Sequence, residues 1–117
     1  MDSFEKLDSE FQLSAIEERM QDDIFENPEI MDFFSKPTAI EVKIEKCTED
    51  NDHAFNIKIE CKSELKKLSS DRAEFLADII SDSFFELIEN KHGENAREKL
   101  LENFGGASVI FNDKVIY

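Results

Sequence analysis

Few residues in this chain could act as nucleophile, base or metal ligand: Cys47, Cys61, His53 and His92, beside an abundance of carboxylates. Two thiols and two imidazoles are the ligand types of a zinc site. Their spacing, however, lacks the close cysteine or histidine pairs from which local zinc motifs are built. By strand alternation Cys61 is expected on a core face and Cys47 on the opposite one, while His53 in a polar loop and His92 beside Gly93 read as surface residues. The loop Glu49-Asp50-Asn51-Asp52 offers oxygens of the kind calcium prefers. It lacks the glycine and the closing glutamate of an EF-hand loop and reads as a turn. Gly105-Gly106 follows a predicted helix, where a phosphate cradle would precede one, so it reads as a helix stop. Acid–base catalysis by paired carboxylates needs a cleft that separates two pKa values, which exposed rows do not provide. The expectation is a non-enzymatic protein with no catalytic residue, no metal site and no cofactor.

What the carboxylates can do is present charge. Glu74, Asp78, Asp82 and Glu86 follow one another at steps of four, as do Glu18, Asp22 and Glu26, so each set climbs one helical face at about 6 Å per step. Like charges at this spacing oppose helix formation by about 0.2–0.5 kcal/mol per pair, and no lysine or arginine lies between Arg72 and Lys91 to relieve them. Phe85 falls among the acids of the longer row. An aromatic there would supply the desolvated anchor that sets affinity, while charge sets the association rate. Regularly spaced carboxylates on rigid helices resemble the charge pattern of a nucleic-acid backbone. Glu18, Asp22, Glu26, Glu74, Asp78, Asp82, Phe85 and Glu86 are therefore the expected partner-binding residues. The expected function is inhibition by mimicry, in which the protein occupies the basic groove of a nuclease or other nucleic-acid-binding protein, as phage anti-defence proteins do by analogy of class. A solvated helix face, or the acidic surface of a subunit in a larger assembly, explains the same rows without a partner.

Composition sets the frame. The chain has 117 residues with 28 acids against 14 bases, a formal charge of −14, and 40% hydrophobic residues including eleven Phe. One domain with a single core is expected over residues 1–117. The excess of acids argues against direct binding to nucleic acid or an anionic membrane and for a basic protein partner. Short apolar runs and an acidic MDSFEKLDSEF start predict neither a membrane span nor a signal peptide. Two cysteines fit a reducing compartment, so the cytoplasm is expected, that of the host if the protein is viral. Residues 1–37 hold eleven acids and three bases, and 69–104 hold nine and four, whereas 38–68 are nearly balanced. Charge thus concentrates in the helical parts.

These parts follow from periodicity. Phe4, Leu7, Phe11 and Ala15 define one face, and Leu13, Ile16, Met20 and Ile24 a second that starts before the first ends, which predicts two short helices with a Ser14/Glu17 capping box opening the second. Asn27-Pro28 starts a third short helix carrying Ile30, Met31, Phe33 and Phe34. Over 38–62 the period becomes two: Ile40, Val42 and Ile44, then Phe55, Ile57, Ile59 and Cys61, predict a β-hairpin. A short basic link with Lys62, Lys66 and Lys67 leads to a helix begun by Ser70 or Asp71. Its apolar stripe is Ala73, Leu76, Ala77, Ile80, Phe84, Leu87 and Ile88. A further helix to Phe104 uses Ala96, Leu100, Leu101 and Phe104.

Residues 107–117 predict a second hairpin about Asn112-Asp113, apolar on both faces. Val109, Ile110, Val115, Ile116 and Tyr117 are the candidate edge for a partner or for a homodimer. This edge, together with Phe33 and Phe34, supports the alternative function, a small acidic chaperone or immunity protein that holds one partner through an apolar surface; polar changes at Ile110 or Ile116 would test it. The architecture expected is α+β: an antiparallel sheet of two β-hairpins, about four strands, packed against a long acidic helix with short N-terminal helices beside it.

Overall fold

The computed structural model describes residues 2–24, 26–28, 39–47, 52–62 and 68–117, so the expected helix over Phe33 and Phe34, the Glu49-Asp50-Asn51 loop and Lys66-Lys67 lie outside the described residues. The fold is α+β, with four helices and a four-stranded mixed sheet among these residues. In chain order the elements are α1 (Ser3–Phe11), α2 (Leu13–Ile24), β1 (Ala39–Lys46), β2 (Phe55–Lys62), α3 (Ser70–His92), α4 (Glu94–Glu102), β3 (Phe104–Phe111) and β4 (Lys114–Val115).

The joint between α1 and α2 is Gln12, whose left-handed backbone (φ 55°) ends the first helix. The expected Ser14 cap is replaced by Asp8, one turn back on α1, whose carboxylate accepts the Ser14 N–H at 3.2 Å. Asp2 caps α1 by accepting the Glu5 N–H at 2.8 Å. Its carboxylate also meets Lys46 Nζ at 2.6 Å, tying the start of the chain to the end of β1.

β1 and β2 pair antiparallel with Ile40 opposite Cys61, Val42 opposite Ile59 and Ile44 opposite Ile57, so each apolar alternate lands on one face. The other face is polar: Lys58 reaches Glu60 at 3.0 Å and Glu45 at 3.8 Å. The hydrogen bond between Lys58 and Glu60 holds the Glu60 carboxyl below its usual range and lifts the Lys58 ammonium above its own.

The expected all-antiparallel sheet is corrected at β3, which pairs parallel with β2, placing Ile57 beside Ala107, Ile59 beside Val109 and Cys61 beside Phe111. The reason is the connection. Two helices stand between β2 and β3, so the chain crosses back before re-entering the sheet, as parallel pairing requires. Gly105-Gly106 is not a helix stop either. α4 ends at Glu102, the Asn103 carbonyl accepts both Ala54 N–H (2.9 Å) and Phe55 N–H (3.2 Å), and the strand begins at Phe104. The two glycines sit where the register with β2 shifts; a Cβ on Gly105 would lie 3.3 Å from Phe55 O, and Gly106 has φ +112°. After Asn112 and Asp113, both at positive φ, the chain reverses into β4, which is only two residues long.

α2 runs antiparallel to α3 beside the sheet: Ile24 lies near Ile80, and Ile16 near Leu87. Its polar side chains cover the free edge of β1. Gln21 Oε1 accepts Val42 N–H at 2.9 Å while Gln21 Nε2 donates to Ile40 O, and Glu17 Oε2 accepts Ile44 N–H at 2.9 Å. One apolar core joins every element except β4, and Phe55, Ile57, Ile59, Leu76, Ile80, Phe84 and Ile88 are fully enclosed in it. Phe55, Phe84, Phe85 and Phe104 form a cluster with ring centroids 4.9–5.6 Å apart.

Candidate functional site

α3 begins where Ser69 caps it, one residue earlier than expected, its hydroxyl accepting the Arg72 N–H at 3.2 Å. Over its 23 residues the buried stripe is Ala73, Leu76, Ala77, Ile80, Phe84, Phe85 and Ile88. Glu74, Asp78, Asp82 and Glu86 are all exposed on the opposite side. These four are therefore presented together on one rigid element. At its C-terminal end the acidic face is partly neutralised from another helix, since Arg97 of α4 contacts Glu89 at 2.7 Å beside Asp82 and Glu86.

Phe85 is not part of that surface. It is 5% exposed, edge-on to Phe84 and to Phe104 at 5.3 Å. Helical spacing alone puts Phe85 between Glu74 and Asp78 in angle, but Phe104 of β3 covers this end of α3 and takes the ring into the core. The exposed aromatic of α3 is Phe75, 48% accessible. It follows Asp71 by four and precedes Asp78 by three and Asp82 by seven, so it stands among the acids of the face. That spacing was visible in the sequence, and Phe75 is the residue the pattern reading missed.

The shorter row divides. Glu18 and Asp22 are exposed on α2, but α2 ends at Ile24, and Glu26 lies in the turn beyond, its N–H bonded to Asp23 O at 3.1 Å. Glu18, Asp22 and Glu26 thus do not form one continuous helical row. Arg19, paired with Asp23 at 3.3 Å, lines a groove between α2 and α3 with Leu87 and Asn90.

At the C-terminal edge the candidates also separate. Val109 is fully buried against the core, which removes it from any contact surface; Ile110 and Ile116 are half-buried; Val115 and Tyr117 are 67% and 45% exposed. β4 pairs only with Ile110 and Phe111. Beyond it the chain holds on through Ile116 N–H to Val109 O (3.0 Å) and Val109 N–H to Tyr117 O (3.1 Å). Toward its start, β3 has β2 on one side and no strand on the other among the described residues.

The thiols and imidazoles are dispersed. Cys61 is buried on the core face, and burial pushes its thiol up to about 11, away from nucleophilic use. His92 Nε2 lies 3.1 Å from Phe11 O with its ring edge-on to Phe11, a structural contact between α3 and α1. Cys47 and His53 converge on Gly105, where a Cβ would stand 3.4 Å from each, but no group of three or more metal-ligating side chains forms among the described residues. No helix among those residues is long and apolar enough to cross a membrane. Compared with known protein families, curated proteins and solved structures, the chain matches none.

Proposed function

We propose that this protein is a non-enzymatic acidic inhibitor that mimics nucleic acid and occupies the basic groove of a nuclease or other nucleic-acid-binding protein, in the manner of phage anti-defence proteins. The observation that supports this reading is the face of α3, where Glu74, Asp78, Asp82 and Glu86 are exposed and Phe75 stands half-exposed between them. A phosphate-binding groove gains affinity by exchanging counterions for its ligand's charges, and a row of fixed carboxylates offers the same exchange. Phe75 takes the anchoring role first expected of Phe85. Affinity capture from a host lysate, eluted by stepwise salt, tests the reading. Under mimicry a nuclease, polymerase or DNA-binding protein leaves at moderate salt, is displaced by added DNA, and is not captured by the Asp78→Lys/Asp82→Lys double variant. Retention of the partner by that variant overturns it.

A second reading is favoured by a specific observation, the exposed Val115 and Tyr117 beside a β3 edge that the two-residue β4 covers only in part. Under it the protein is a small chaperone or immunity protein, or a homodimer, joined through this edge. Capture that resists salt, ignores DNA and is lost in Val115→Asp would support it over mimicry.

A further inference from the structure

The apolar alternates of β1 and β2 face the helices, so Glu41, Lys43 and Glu45 of β1 share the opposite face of the sheet with Lys58, Glu60 and Lys62 of β2. In a chain with 28 acids and 14 bases, this face sets three carboxylates among three ammoniums. The register sorts them by sign. Glu41 stands opposite Glu60 and Lys43 opposite Lys58, with Lys62 opposite Ala39 at one end and Glu45 opposite Asn56 at the other. Four bands thus cross the strands in the order positive, negative, positive, negative, about 7 Å apart. Like charges directly opposite one another disfavour strand pairing, and here relief comes along the strands, where Lys43 lies 3.6 Å from Glu41 and Lys58 lies 3.0 Å from Glu60. Those contacts leave capacity for more, since an ammonium has three donors and a carboxylate about four acceptor sites. Nor is the face closed over: Glu41, Lys43, Glu45, Lys58 and Glu60 keep between 29% and 60% of their side-chain surface in solvent. On β3, Ser108 extends the lysine band and Ile110 the carboxylate band.

We propose that two copies of this chain stack these faces about a two-fold axis running across the strands between the two central bands, each copy's Glu41–Glu60 band lying on the partner's Lys43–Lys58 band. A pattern that changes sign about its own centre is complementary to a second copy turned through half a revolution, which is what a two-fold interface requires. A uniformly charged partner would instead be repelled by half of the bands. The remaining acids do not forbid the approach. Those of the helix layer lie on the far side of the sheet, and at about 0.15 M salt, where the screening length is about 8 Å, they act on the second copy less than the touching bands do. The stack leaves α3 facing outward in both copies, so it neither uses nor blocks the carboxylate face, and it differs from joining at the β3 edge in needing no new strand pairing.

Sedimentation equilibrium of the full chain at up to about 1 mM protein in about 0.15 M salt tests this, because a contact of so few residues populates a dimer only at high concentration. A concentration-dependent dimer is expected. Glu41→Lys/Glu60→Lys and Lys43→Glu/Lys58→Glu each leave the central bands with a single sign; each should weaken self-association at least about tenfold, and mixing the two variants should restore a one-to-one dimer. Glu98→Lys/Glu102→Lys, at exposed positions of α4, changes the net charge as much as the first variant does and should leave the dimer within about twofold. Glu41→Gln/Glu60→Gln adds no repulsion within the fold and should also weaken the dimer, so the result does not hang on the stability of the reversed variants, whose folding is checked by amide dispersion. A monomer throughout, a mixture that fails to associate, or a dimer unchanged by every variant of the bands overturns the proposal, the last assigning association to another surface such as the β3 edge.

Discussion

The two halves of α3 carry the same kind of sequence and meet different surroundings. In the first half, Phe75 lies on the carboxylate face and is 48% exposed; in the second, Phe85 lies about 80° round the helix, still at the angle of Glu74 and Asp78, and is buried. The difference is tertiary. Near the C-terminus of α3 the chain turns at Gly93, α4 folds back along it, and β3 brings Phe104 over the ring of Phe85. An aromatic on a polar face therefore becomes core or contact surface according to what the chain lays over it, which the helical period does not encode.

The largest effect that would test this contrast is the pair Phe85→Ala and Phe75→Ala. Truncating the enclosed ring should cost about 3–5 kcal/mol in urea unfolding, whereas truncating the exposed one should stay within about 0.5 kcal/mol. Similar losses from both would mean that the halves do not differ. Next, Ser69→Ala removes the cap of the exposed half and should cost about 1 kcal/mol without changing the near-UV signature of the core. Smaller and of opposite sign, Asp82→Lys turns two like-charge contacts, with Asp78 and Glu86, into attractive ones, and should raise stability by about 0.5–1 kcal/mol at low salt, fading as salt is added. A drop would show that Asp82 has a structural partner.

The smallest effect lies outside α3 and serves as its control. The hydrogen bond from Lys46, with a second from Glu5 N–H, holds the Asp2 carboxyl below its usual range, and Asp2 in turn lifts the Lys46 ammonium. A depressed carboxyl contributes stability that is present above its unfolded pKa and lost as pH falls through the folded value; the raised ammonium contributes below its unfolded pKa and loses it as pH rises through the folded one. Amide exchange at Glu5 and Lys6 should accordingly quicken below about pH 4, relative to the intrinsic rate, while amides around Phe85 keep their protection until global unfolding.

Alternation made β1 and β2 legible, including their pairing, because one polar and one apolar face admit few registers. The helices among the described residues were legible from their own period, and so was the row from Glu74 to Glu86. Three features were not. The parallel pairing of β3 depends on the path taken by α3 and α4, which no local pattern records. Gly105-Gly106 carries a helix-stop signal and a strand-bulge signal alike, and only the approach of Phe55 decides between them. Gln21 and Glu17 looked like ordinary polar positions of an amphipathic helix, since their partners Val42 and Ile44 are more than twenty residues away.

Those two side chains limit how the protein can assemble. With Gln21 and Glu17 occupying the outward amides of Val42 and Ile44, an incoming strand at β1 would have to displace bonds already made, whereas among the described residues no strand covers the start of β3. Among the described residues, β3 is thus the easier of the two edges for strand addition. Under the second, homodimer reading proposed above, two chains joined at β3 would use up that edge in each other, and growth by strand addition would end at a pair instead of running on into a fibre.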